Sequence, residues 1–186
     1  MTQAELFDRQ LFRQRRLNAL SAGISGADFL LKLASEDLAD RLAIVSRQYR
    51  IGIDLGGHTG HIAKMLAESG KAETVYRGDL FAPHPGITSP DFVFDDALPP
   101  LKAASAGIIV SALSLQFVND LPGTLVQIRQ ALEPDGLFLA ALPAADTLHE
   151  LRDVMMRAEL EINEGAAPRV GPFADVRELG SLLQRA

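Results

Sequence analysis

Four carboxylates stand where short apolar runs stop. Asp54 follows Ile51-Gly52-Ile53, Asp79 follows Thr74-Val75-Tyr76, and Asp95 and Asp96 follow Phe92-Val93-Phe94. A carboxylate at the end of such a run can accept two hydroxyl hydrogen bonds at once, which is the chemistry of holding a sugar diol. Behind Asp54 comes a small-residue turn, Leu55-Gly56-Gly57-His58-Thr59-Gly60. Glycines there let a ligand approach the main chain with no Cβ in the way. Ile62, Ala63 and Leu66 then return at helical spacing, so a helix N-terminus follows the turn. Its unpaired N–H groups suit an anionic or carboxylate-bearing ligand.

Nucleotide-type cofactors use turns of this kind. The dinucleotide fingerprint wants G-x-G-x-x-G with an acid about 20 residues further on. Here the glycines fall as G-G-x-x-G, a poor fit, although Asp79 lies nineteen residues beyond Gly60. That spacing favours a ribose role for Asp79 over a solvated turn acid, and Leu80 beside it joins the candidate set. Asp95 is the first choice and Asp96 the second for a further ligand contact, against two exposed turn acids.

The elements that must position these residues are legible as apolar periodicity. Three strands end at Asp54, at Asp79 and at Asp95-Asp96. Gly107-Ile108-Ile109-Val110 is a continuous apolar strand suited to the middle of a parallel sheet, running into Ser111-Ala112-Leu113-Ser114-Leu115-Gln116-Phe117. Its end borders the crevice where open α/β sheets bind ligands, which makes Ser111 a cofactor-side candidate. Gln116 and Phe117 read there as substrate-side residues, or Phe117 as ordinary core. A fifth strand is predicted over Gly136 to Leu142. Helices are predicted over Glu5–Leu20, Phe29–Arg47, Leu121–Leu132, from a Thr147/Glu150 capping box through about Ile162, and Asp175–Arg185. Between strands two and three, Pro83, Pro85, Gly86 and Pro90 exclude a regular helix and predict a loop. The first helix is amphipathic and basic. It is either a lid presenting Arg13 and Arg16 to an acidic group or a surface helix packing its Phe and Leu stripe on the core. The predicted class is α/β, a doubly wound and mostly parallel sheet of about five strands in the order 3-2-1-4-5 with flanking helices. Residues 1–48 form an N-terminal helical segment packing on a core of residues 49–186.

Composition narrows the classes. At 186 residues, 47% of them hydrophobic, one domain with an ample core is expected. Cysteine is absent, which removes disulfides, thiolate zinc sites and a cysteine nucleophile. A formal charge of −6 argues against a general nucleic-acid binder. No apolar segment approaches the roughly 20 residues of a membrane span. The expected place is the cytoplasm, or an organelle matrix if the source is eukaryotic. His58 and His61 lack a recognisable third ligand, so no metal is expected. His149 reads as a helix-surface residue.

Ile53-Asp54-Leu55-Gly56, Thr59 and Gly60, together with Leu132-Glu133-Pro134-Asp135-Gly136 before an apolar strand, resemble the S-adenosylmethionine-dependent methyltransferases with a Rossmann-like fold. His58 stands where that family usually has its middle glycine. FDRQLFRQRRL, the run from Ser111 to Leu142, DTLHELRD and PFADVRELGSLLQRA resemble one branch of them. It contains the malonyl-acyl-carrier O-methyltransferases and the methyltransferase-like assembly factors of respiratory complex I. The resemblance implies S-adenosylmethionine as cofactor and S-adenosylhomocysteine as product. It assigns Asp54, Gly56, Gly57 and Gly60 to the methionine end and Asp79 to the ribose. Asp95 then takes the adenine amino group, or Asp96 in its place, with no catalytic base named. A small-molecule carboxylate or a protein is the implied methyl acceptor. The alternative is a weakly catalytic assembly factor, or a protein-arginine hydroxylase of the same branch. A full methyltransferase sheet has two more strands. Their absence predicts an apolar edge at strand five, covered by a second copy or a partner protein, or else a truncated chain.

Overall fold

The computed structural model describes residues 5–81, 89–163, 165, 167 and 169–186. They divide into two compact units, Met1–Leu142 with Ala186 and Pro143–Arg185.

The first unit is a five-stranded parallel sheet in the order β3-β2-β1-β4-β5. Its strands are β1 (Tyr49–Leu55), β2 (Ala72–Asp79), β3 (Phe92–Val93), β4 (Ala106–Ala112) and β5 (Leu132–Ala141). The helices are α1 (Arg9–Ala22), α2 (Phe29–Ala43), α3 (His61–Glu68) and α4 (Leu121–Ala131), with a 3₁₀ turn at Leu115–Phe117. β4 is buried along its whole length, as a central strand covered on both faces must be. Alternate residues Ile108, Val110 and Ala112 join one core with Leu31, Leu38 and Leu42 of α2 and with Ile62 and Leu66 of α3. Leu125, Ile128 and Ala131 of α4 are also buried. Strand order reverses between β1 and β4, so the crevice beyond their C-terminal ends is the switch point of the sheet.

Local chemistry explains the boundaries. Asp8 caps α1 by accepting from the Leu11 N–H, and Asp120 caps α4 through Gly123. α2 stops at Ala43, four residues short of the predicted Arg47. The Leu-x-Pro-x-Gly stretch corrects an expectation: it is not a turn before the fifth strand but an excursion inside it. β5 pairs Leu132 with Ala106 and then Leu137 with Ile108, bulging through Asp135 at φ 62°. The proline-rich connection expected at residues 80–90 falls largely on 82–88, outside the described residues. β3 is short, but the Asp91 side chain accepts from the Arg77 N–H and the Asp91 N–H donates back to Arg77, clipping it to β2.

The second unit holds α5 (His149–Asn163) and α6 (Val176–Arg185), neither with a buried residue. The Thr147 cap is not formed. Leu148 sits at φ 59° immediately before the helix, so α5 starts one residue later than the capping-box reading. The box appears instead at α6: the Arg177 N–H donates to Asp175 Oδ1, and Glu178 accepts from the Asp175 N–H.

Candidate functional site

The turn after β1 is strapped down on both sides. The N–H groups of Gly56 and Gly57 both donate to the Gly78 carbonyl of β2, at 3.0 and 2.9 Å. Gly56 sits at φ 82°, and a Cβ there would overlap Ser114 Oγ and Cβ. At Gly57 a Cβ would run into the Arg77 side chain, which rises from β2 under the turn and donates to the His58 carbonyl. Gly60, at φ 89°, is the N-cap residue of α3. Asp54 is 1% exposed, and its Oδ2 accepts the Ala63 N–H of α3 at 3.0 Å. That bond ties the strand end to one of the helix's otherwise unpaired N-terminal donors.

The other acids meet arginines from α1. Arg16 lays its two terminal nitrogens on the two oxygens of Asp79, at 3.0 and 3.2 Å. The Asp79 side chain is 0% exposed, and its Oδ1 also accepts the Leu80 N–H at 2.7 Å. Arg9 bonds Asp95 at 2.6 Å, reaches Asp96, and donates to the Phe117 carbonyl at 3.0 Å. Asp96 is buried and accepts from Ser114 Oγ as well. The Phe12 ring, 4.6 Å from that of Phe117, lies beside both arginines. Phe7 and Asn119 exchange hydrogen bonds at 2.8 and 2.9 Å.

Beyond β4, Gln116 Nε2 donates to the Leu113 carbonyl, while Gln116 Oε1, Ser111 Oγ and His58 Nε2 are buried with no hydrogen-bond partner among the described residues. A cavity of about 540 Å³ opens between the turn and the first two helices, lined in part by Arg16, Asp28, Leu31, His58, Thr59 and Leu113. Thr59 and His61 both hydrogen-bond Asp28 Oδ2, at 3.1 and 2.7 Å.

Residues 14–186 match the family model described as Methyltransferase domain. The chain belongs to that methyltransferase family. The family's cofactor is S-adenosylmethionine. The chain is 35% identical over 190 residues to the human protein named Arginine-hydroxylase NDUFAF5, mitochondrial, covering 97% of this chain and 54% of the relative. It is 30% identical over 194 residues to the Halorhodospira halophila malonyl-[acyl-carrier protein] O-methyltransferase, covering 98% and 63%. The chain thus spans about half the length of the first of these relatives and less than two thirds of the second. Its fold is shared with an S-adenosylmethionine-dependent methyltransferase from Mesorhizobium loti, at TM-score 0.56, 21% identity and coverage of 82% and 80%. A chain of the Haloferax volcanii complex that contains the Trm112 methyltransferase activator aligns at TM-score 0.64, 18% identity and coverage of 92% and 74%.

The structure brings Asp54, Gly56, Gly57, Gly60, Asp79, Leu80, Asp95, Asp96 and Ser111 to the C-terminal ends of the strands. Gln116 and Phe117 lie at the end of β4, with Phe117 packed against Phe7 and Phe12. Arg13 is exposed and is not brought to the acids; Arg9 and Arg16 are. Arg9, Phe12 and Arg16 stand at i, i+3 and i+7, a single helical stripe that was the available signal for Arg9. Arg77 was a lone cation inside an apolar run, the mark of a buried charge with work at the strand end. His149 is exposed, with Nδ1 3.1 Å from the Asp146 carbonyl.

Burial, opposed by the Ala63 N–H and Arg77, pushes the Asp54 carboxyl from 3.8 up to about 7. The folded protein therefore holds this proton more tightly than the unfolded chain does. That contribution to stability is complete below pH 3.8 and is gone once the pH passes about 7. Asp54→Asn is expected to gain on the parent by about 1.4 kcal/mol per pH unit across that window, read from urea unfolding at pH 4.5 and 6.5. Burial, then the Arg16 charge, depresses His58 from 6.5 to about 3; its contribution runs the other way, is common to both proteins and drops out of the difference. A constant gap between parent and variant would contradict a protonated, buried Asp54.

Proposed function

We propose that this chain is an S-adenosylmethionine-dependent methyltransferase that binds its cofactor across the C-terminal ends of β1, β2, β3 and β4. The observation that carries the reading is the buried Asp79 carboxylate at the end of β2, level with a glycine turn that excludes a Cβ at Gly56. The residues fit the cofactor in kind. Asp79 offers two acceptor oxygens to the ribose diol, and Asp95 and Asp96 offer acceptors to the adenine amino group. Asp54, Gly56, Gly57 and Gly60 border the methionine end, where the orphaned His58 Nε2 and Ser111 Oγ add polar atoms. Leu80 completes the wall beside the ribose.

The cofactor supplies a methyl group already activated on a sulfonium. The chain's part is to align donor and acceptor and to keep water out. The cavity lined by Arg16, His58 and Thr59 is the proposed acceptor space, with Leu113 on its β4 side; Gln116 and Phe117, the proposed substrate-side residues, follow just beyond β4. A carboxylate acceptor, ionised at neutral pH, needs no general base, and a guanidinium nearby suits it. The acceptor is proposed as a small-molecule carboxylate or a protein group, in the cytoplasm or an organelle matrix. Among the described residues no helix is long and apolar enough to cross a membrane.

Titration with S-adenosylhomocysteine is expected to give saturable heat. No heat at about millimolar ligand contradicts the reading.

One observation favours a second reading, an assembly factor or arginine-hydroxylase-like protein with weak cofactor use: Arg9 and Arg16 already occupy the acids. β5 ends the sheet among the described residues, a natural edge for a second copy or a partner protein. That reading expects a stable complex through β5. A monomer with tight cofactor affinity rules against it.

A further inference from the structure

We propose that α1 is a displaceable occupant of the cofactor crevice, with Arg16 holding Asp79 in place of the ribose diol and Arg9 holding Asp95 and Asp96 in place of the adenine edge. The inference rests on the cofactor reading above. A guanidinium presents parallel N–H donors to the two oxygens of one carboxylate, which is the pattern two vicinal hydroxyls present. With Arg16 at 3.0 and 3.2 Å on the two oxygens, the Leu80 N–H on one of them, and 0% of the side chain exposed, Asp79 has no face left for a diol. Arg16 on Asp79 and a nucleoside on Asp79 are therefore alternatives.

The rest of α1 is built to let go. None of its 14 residues is buried. Besides its arginines, Phe12 on Phe117 and the preceding Phe7–Asn119 exchange hold it. Its C-terminal end runs into Gly23 at φ 60° and then Gly26 at φ 73°, both with open space around the Cβ position. Two left-handed glycines between α1 and α2 give the connection backbone freedom at both ends.

A binding-competent fraction below one raises the apparent Kd in proportion. If the closed form outnumbers the open one about ten to one, unlatching tightens binding about tenfold. The test compares parent, Arg16→Gln and Arg9→Gln by calorimetric titration with S-adenosylhomocysteine at pH 8. Hydrogen exchange of the Arg9–Ala22 amides is followed in the parent with and without ligand. About tenfold tighter binding in both variants is expected, and ligand is expected to lower α1 protection in the parent. Arg9→Gln decides the affinity question alone if Arg16→Gln fails to fold, since it leaves Asp79 untouched. Unchanged or weaker binding in Arg9→Gln, or α1 protection that rises with ligand, overturns the latch and leaves the cofactor reading standing. No binding by the parent or by either variant overturns the cofactor reading and the latch together.

Discussion

Asp79→Ala is expected to lose S-adenosylhomocysteine binding by about 100-fold or more, and to lose about 1–3 kcal/mol of folding stability at neutral pH. The binding loss follows from two charge-assisted hydrogen bonds, each contributing about 1.5–3 kcal/mol. The stability loss has a different origin. Arg16, with its side chain 14% exposed, would lose the carboxylate that holds it, and a partly buried group left without its partner costs about 1–3 kcal/mol. The double variant Arg16→Ala/Asp79→Ala separates the two effects. It is expected to recover part of the stability and none of the binding. Denaturant unfolding beside calorimetric titration checks both, and an Asp79→Ala protein as stable as its parent would contradict the buried pair.

Gly56→Ala is the second large effect. At φ 82° the added Cβ sits in a backbone region that L-residues avoid, and it meets Ser114 Oγ and Cβ and, at 3.4 Å, Asp96 Oδ2. Backbone strain of about 1–3 kcal/mol adds to overpacking of about 1–3 kcal/mol. Since about 1 kcal/mol shifts Tm by about 2–4 °C in a chain of this size, a fall of about 5–20 °C is expected. Gly70→Ala is the control. Gly70 has a positive φ of 65° but open space around its Cβ position, so it reports the backbone contribution alone. Scanning calorimetry is expected to place Gly56→Ala clearly below Gly70→Ala. Equal Tm values would remove the steric part of the argument, and with it the close fit of the turn to Ser114.

Much of this was legible in residue order. The five apolar runs are short, end on acids or turn residues and alternate with helical periodicity, and that pattern leaves few topologies once connections are right-handed and neighbours pair. Asp54, Asp79, Asp95 and Asp96 were findable because a carboxylate at the end of a buried run needs a reason. Which atoms would engage them was not findable. Periodicity puts Arg9, Arg13 and Arg16 near one helix face, and only the angle at which α1 crosses the strand ends selects Arg9 and Arg16 over Arg13. Arg77 shows the same limit: its place under the turn depends on the Asp54–Arg77 register of β1 and β2, a long-range fact. The bulge in β5 was misread as a turn because Pro134 and Gly136 signal a chain reversal as readily as a strand irregularity.

The central claim is that Asp79 grips a sugar diol. The most direct measurement compares S-adenosylhomocysteine with its 2′-deoxyribose analogue on the parent protein and on Asp79→Ala. The account predicts that the parent binds the deoxy analogue about 10- to 100-fold more weakly, while Asp79→Ala does not distinguish the two. Equal affinities on the parent would contradict it.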